Sequence, residues 1–227
     1  MTTSLIQRYQ NVQKRIDDAM LSANRTDHIQ LLAVSKTKPI EDIVALAEVG
    51  QRAFGENYVQ EALDKIEQRP DLEWHFIGPI QSNKTKPIAE NFHWVHSVDR
   101  FKIARRLSDQ RPDNSPSLNI LLEVNISNET SKAGFSPTEI LDVAKQVLEL
   151  PHLTLRGLMA IPAKTHSHEE QKEPFHQMKV LLDSLQATFP GQPIDTLSMG
   201  MSADLEAAIE EGATIVRIGT DIFGART

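Results

Sequence analysis

Lys36 is the residue whose setting most invites chemistry. It lies just past the unbroken apolar run Leu31-Leu32-Ala33-Val34, and Lys38-Pro39 closes the segment. A short apolar run without alternation fits a strand covered on both faces, as parallel strands are. Lys36 is therefore expected at a strand's C-terminal end, where α/β folds bind ligands. A desolvated amine beside a second cation releases its proton and becomes a nucleophile. With Lys38 as that cation, Lys36 could hold an aldehyde cofactor as a Schiff base; a strand-end lysine reaching out to water is the plainer alternative.

Two glycine-bearing loops suit an anion. Ser198-Met199-Gly200-Met201-Ser202 opens a helix, and Gly219-Thr220 follows the last apolar strand. These are the positions after the seventh and eighth strands, where barrels bind phosphate through bare backbone N–H groups and a helix N-terminus. Taken singly, each also reads as a capped helix start or an ordinary turn. Arg217, inside an apolar strand, is either a buried ion-pair member or a guanidinium facing a ligand. Against a pyridine nitrogen, such a permanent cation keeps the nitrogen unprotonated and weakens the ring as an electron sink. His75 reads as a satisfied core histidine. His166-Ser167-His168-Glu169 sits in a polar loop between Lys164 and Lys172 and reads as solvated, so no metal is expected. No nucleophilic serine elbow and no paired carboxylates are visible.

The elements that must position these residues alternate regularly. Leu5, Tyr9, Val12, Ile16, Ala19 and Met20 recur at helical spacing from Ser4 to about Asn24. Helices are then predicted over Ile40 to Val49, Tyr58 to Gln68, Lys84 to Glu90, Asp99 (as N-cap) through Leu107, Ser136 onward, Glu169 to Phe189 and Ala203 to Glu211. Ser136-Pro137-Thr138-Glu139 combines a capping box with proline at the first helical position. Strands are predicted at Leu31 to Val34, Arg52 to Phe54, Trp74 to Ile77, Trp94 to Ser97, Leu118 to Val124, Leu153 to Met159, Thr196 to Ser198 and Ile215 to Ile218. Eight strand–helix units imply parallel pairing and a single (β/α)8 barrel of the TIM type, one domain over residues 1–227. No long helix remains after the eighth strand, so the N-terminal helix is expected to complete the outer ring.

Composition bounds the function. With 24 basic against 31 acidic residues, the net charge of −7 speaks against a nucleic-acid or anionic-membrane surface. No cysteine is present, which removes disulfides and thiolate metal sites. A polar N-terminus and the lack of a long apolar run lead to the expectation of a cytoplasmic protein.

The chain resembles the YggS/PROSC family of pyridoxal phosphate homeostasis proteins, which are themselves similar to the N-terminal barrel of alanine racemase (PLP fold type III). The resemblance rests on Ala33-Val34-Ser35-Lys36-Thr37-Lys38, Phe54-Gly55-Glu56-Asn57-Tyr58-Val59-Gln60-Glu61, and Trp74 through Lys84. It continues in Gly157-Leu158-Met159-Ala160-Ile161, Leu197 through Ser202, and Val216 through Gly224. It implies that Lys36 forms a Schiff base with pyridoxal 5′-phosphate, and that Ser198, Gly219 and Thr220, with Gly200 in the same loop, hold the phosphate. It also implies that Arg217 lies near the pyridine nitrogen and that Asn57, His75 and Met159 line the pocket. Asp221 departs from the small residue expected there. The function implied is binding and buffering of the cofactor, with passage to apoenzymes, rather than catalysis. A racemase-like enzyme is the alternative, and a barrel enzyme acting on a phosphorylated sugar is a third reading. Racemisation needs acid and base groups on both faces of an α-carbon, Lys36 serves one face, and only Tyr9 and Tyr58 are available as tyrosines.

Overall fold

The computed structural model describes residues 4–165 and 167–225. Strands β1 (Gln30–Val34), β2 (Ala53–Glu56), β3 (Glu73–Phe76), β4 (Trp94–Val98), β5 (Leu118–Glu123), β6 (Leu153–Met159), β7 (Thr196–Ser198) and β8 (Ile215–Ile218) pair in parallel, in chain order. β8 pairs back to β1 with Leu32 opposite Arg217, so the sheet is a closed barrel. Around it lie α1 (Leu5–Ser22), α2 (Ile40–Glu48), α3 (Val59–Gln68), α4 (Thr85–Asn91), α5 (Phe101–Gln110), α6 (Ile140–Leu148), α7 (His168–Thr188), α8 (Leu205–Glu210) and the short α9 (Thr220–Phe223).

Strand alternation divides two cores. Ala33, Phe54, Trp74, Phe76, Val95, Ile120, Leu122, Leu158, Leu197, Val216 and Ile218 join the large cluster between barrel and helices. Among the described residues, Leu32, Ala53 and Ile215, with Ile77 against them, form one small apolar group in the lumen and Trp94, Leu121 and Met159 another. Between them the lumen also buries His75, His96, Ser198 and Arg217. A buried polar side chain costs free energy unless it is hydrogen-bonded, so the lumen must be a connected network.

As expected, α1 fills the ring, packing on α2, α8 and α9 through its stripe of Tyr9, Val12, Ile16 and Ala19. The Ser136 capping box is present, although it opens a single 3₁₀ turn, Pro137–Glu139, before α6. Asp99 is not the N-cap of α5. Arg100 takes that position, and the Asp99 carboxylate pairs with the Arg100 guanidinium at 2.9 Å. The predicted pairing of strand ends shifts by a residue or two at β2 and β3, whereas β6, β7 and β8 run over the predicted residues.

Candidate functional site

Lys36 lies half-buried in the turn after β1, two residues past Val34, at the C-terminal mouth of the barrel. The turn is strained, because Thr37, a β-branched residue, has φ of 63°. A buried cluster on the outer face of β1 and β2 holds it. Lys65 Nζ donates to Ser35 O at 2.8 Å, Glu56 Oε1 at 2.8 Å and Glu61 Oε1 at 2.6 Å, which uses all three ammonium protons. Ser35 Oγ donates to the same Glu56 oxygen at 2.6 Å, and Thr37 N to Glu61 Oε1 at 2.6 Å. Burial outweighs the Lys65 ammonium and raises the Glu56 carboxyl above the usual carboxylate range. Lys38 donates from its ammonium to the carbonyls of Phe223 and Ala225 at the end of α9.

Below the mouth, a line of side chains crosses the lumen. Glu73 Oε1 contacts His75 Nε2 at 2.7 Å, His75 Nδ1 contacts His96 Nε2 at 2.8 Å, and His96 Nδ1 contacts Ser198 Oγ at 2.7 Å. Arg217 Nη1 donates to Ser198 Oγ at 2.7 Å and Nη2 to Ala160 O at 3.1 Å. Trp94 stacks on His75 with the ring planes 3° apart. Burial drives both imidazoles below their usual pKa, His96 further because His75 and Arg217 add to it. The hydrogen bond from His75 holds Glu73 down at about 2, and burial pulls Arg217 to about 10. His75 is thus a satisfied interior histidine, linked to Arg217 through His96 on β4 and Ser198 on β7.

Ser198 Oγ, implied as a phosphate ligand, lies 2.7 Å from His96 Nδ1 and accepts from Arg217 Nη1 at 2.7 Å, so it already has two partners in the lumen. Gly200, at φ of 96°, is required by packing, since a Cβ there would stand 2.6 Å from that of Ala208. Gly219 lies beside Val34, next to the strand that carries Lys36. Intrahelical bonding in α9 begins only at Ile222 and Phe223, whose N–H groups return to Gly219 O, so the N–H groups of Gly219, Thr220 and Asp221 precede it. Arg15 of α1 braces both loops, donating to Ser202 O at 3.0 Å, to Glu206 at 2.8 Å and to Asp221 at 2.5 Å. Asp221 therefore has a structural partner that its position in the sequence did not suggest.

Asn57, after β2, carries a buried Oδ1 with no hydrogen-bond partner among the described residues, and Gly78 lets the third strand's exit pass it, since a Cβ there would be 2.4 Å from Asn57 O. Met159 is buried in the lumen against Trp94 and Leu121. Glu123, two residues past Leu121 on β5, shares that inward face on the strand opposite β1. Burial and the nearby Asp99 push its carboxyl up to about 7 against the pull of Arg217. His96, Glu123 and Arg15 were missed from sequence. The available signal was a titratable residue at an inward position of a strand, as with His75. Tyr9 is buried on α1 and bonded to Gln51, whereas Tyr58 is exposed at the mouth. A cavity of about 670 Å³ opens at the opposite end of the barrel, by Tyr9, Gln30 and Gln51. His168 pairs with Glu210 at 3.1 Å, while His166 lies outside the described residues.

The site fits a cofactor with an aldehyde, a pyridine ring and a phosphate. It offers a strand-end amine, an unpartnered amide oxygen, a guanidinium with three of its five N–H groups beyond the two bonds above, and the N–H groups ahead of α9. The family model "Alanine racemase, N-terminal domain" matches residues 9–227. A relative from Pasteurella multocida, named pyridoxal phosphate homeostasis protein, is 54% identical over 220 residues, covering 95% of this chain and 94% of the relative. PipY of Synechococcus elongatus, in a structure with PLP bound, superposes with a TM-score of 0.80 at 36% identity, over 92% of this chain and all of that one. Alanine racemase from Clostridium difficile, at 14% identity, TM-score 0.74, over 94% of this chain and 56% of that one, shares the fold.

Proposed function

The chain belongs to the alanine racemase N-terminal domain family and, within it, to the pyridoxal phosphate homeostasis proteins, and from that premise we propose that it binds pyridoxal 5′-phosphate on Lys36 and buffers its supply to apoenzymes of the cytoplasm, as a single barrel domain. The observation that carries the reading is the convergence, at one mouth, of Lys36, the unpartnered Asn57 Oδ1, the Arg217 guanidinium and the Gly219-Thr220 turn. When bound, the cofactor supplies an aldehyde carbon, a pyridine ring that can take up electrons, and a phosphate dianion. Lys36 provides the amine for covalent attachment, on a turn that Lys65 and Glu61 hold rigid. Gly219 and Thr220 would hold the phosphate, with backbone N–H groups and a hydroxyl as donors, at loops that Arg15 ties to α1. Arg217 would face the pyridine ring of a bound cofactor, where a permanent cation would disfavour protonation of the ring nitrogen and so weaken the electron sink. Asn57, with its unpartnered Oδ1, and Met159, buried in the lumen, would line the pocket of the ring.

Amino-acid turnover lacks support on the second face of the ring. Tyr9 is committed to Gln51 on the outer ring. Relatives bear the name of homeostasis proteins rather than enzymes, and no helix among the described residues is long and apolar enough to cross a membrane. The test is reduction with borohydride followed by peptide mapping. The purified protein should be yellow, with the label on the peptide containing Lys36 and none on Lys36→Ala; a label on Lys38 instead overturns the assignment. In the same preparations, α-proton exchange of L-amino acids in deuterated solvent should be far slower than about 1 per second, the lower end of enzyme turnover.

A further inference from the structure

The lumen contains a line of five hydrogen-bonding groups whose donors have only one consistent order. Arg217 has donors alone, and the ionised Glu73 has acceptors alone. Between them stand a hydroxyl, which donates once along the line, and two imidazoles, each of which in its neutral form donates from one nitrogen and accepts at the other. Glu73 needs a proton on His75 Nε2, so His75 Nδ1 accepts from His96 Nε2 at 2.8 Å. His96 Nδ1 then accepts from Ser198 Oγ, whose lone pairs face Arg217 Nη1. Reversing any single link would set two protons or two lone pairs against each other in a site where His75, His96 and Ser198 are fully buried. The line runs from β8 through β7, β4 and β3 and ends at a carboxylate that also accepts from Gln30 at 2.8 Å.

We propose that Glu73, His75, His96 and Ser198 form a one-way hydrogen-bond chain that positions the Arg217 guanidinium for the cofactor's pyridine nitrogen. The role rests on the reading that Arg217 faces that ring. The chain fixes Nη1, and Ala160 O fixes Nη2, so the plane of the guanidinium cannot rotate without breaking a buried bond. Asp204 and Glu123, the acidic groups that act on Arg217, balance its charge without taking these bonds. Positive and negative ends of the chain lie at Arg217 and Glu73, with neutral groups between, which aligns every dipole in the chain with the field of its ends.

Two measurements test this. In cofactor-free protein labelled with ¹⁵N-histidine, both His75 and His96 should carry their proton on Nε2, with an unprotonated Nδ1, across neutral pH; a proton on either Nδ1, or an imidazolium, overturns the chain. In protein loaded with pyridoxal 5′-phosphate, Ser198→Ala should weaken binding about tenfold and shift the pH titration of the bound chromophore, the effect of one bond to a charged group. Ser198→Thr, which keeps the hydroxyl, should restore the titration. Ser108→Ala, which removes a buried hydroxyl bonded to Pro151 O, should leave binding and titration unchanged. Equal chromophore titrations in Ser198→Ala and Ser108→Ala would overturn the positioning role. A wild-type protein that takes up no cofactor yet shows these tautomers would overturn the functional reading, and this role with it, and would be told apart from failure of the chain by the histidine spectra alone.

Discussion

The barrel has two buried polar networks that solve different problems, one inside the lumen and one on the outer face of β1 and β2. The outer network is compact and highly charged, with Lys65 contacting two carboxylates, Glu56 and Glu61, and holding the backbone of the Lys36 turn. The lumen network is drawn out over four strands, with charge only at its ends and neutral imidazoles between. Both hold buried polar groups, the outer one leaving Glu56 Oε2 without a hydrogen-bond partner among the described residues, and a charge left alone costs more than a lone pair left alone, because the desolvation of an ion cannot be recovered by small rearrangements. The comparison teaches that the turn bearing the reactive amine depends on concentrated charge, and the donor facing the ring on alignment.

The largest expected effect therefore comes from the outer network. Lys65→Met leaves the fully buried Glu56 without its cation and should cost about 3–5 kcal/mol in urea unfolding. A loss below about 1 kcal/mol would show that Glu56 is already protonated, and would erase the contrast between the networks. In the lumen, His96→Ala should cost less, about 1–3 kcal/mol, because water can enter the vacated space and satisfy one of the two partners, His75 Nδ1 or the Ser198 hydroxyl.

Acid sharpens the same contrast. His75 and His96 are neutral in the fold with pKa values lowered from 6.5, so the unfolded chain binds protons that the folded chain does not. Stability should fall as pH drops below about 6.5, by about 1.4 kcal/mol per pH unit for each histidine, until the folded imidazole itself protonates. Glu123 acts with the opposite sign. Its folded pKa of about 7 lies above the ordinary carboxylate value of 4.5, so the folded chain keeps a proton that the unfolded chain loses, and stability should fall as pH rises through that window. Denaturant midpoints for Glu123→Gln should lose this neutral-side decline and keep the acid-side one. Retention of both would reassign the decline to another group.

Arg15→Ala gives the smallest change in stability, about 0.5–1 kcal/mol, because the side chain is partly exposed. It should nevertheless weaken retention of pyridoxal phosphate more than Lys14→Ala, which cuts only the exposed pair with Asp18, as equilibrium dialysis would show.

Local sequence determined the elements. The apolar runs of β6, β7 and β8, the helical stripe of α1 and the Ser136 capping box are set by side-chain period and by residues three or four apart, and these gave the barrel order and the strand-end place of Lys36. Tertiary structure decided which polar residues meet. His96 and Ser198 are 102 positions apart, Arg15 and Asp221 206, and each pair is joined only when closure of the sheet fixes the register of strands and the place of α1. The same closure set Ser198 against His96 and Arg217, sent Lys38 to the end of α9 and gave Asp221 a partner. Hydrophobic period is written along the chain, whereas a hydrogen bond across a lumen depends on which strands face each other, and that is a property of the closed barrel.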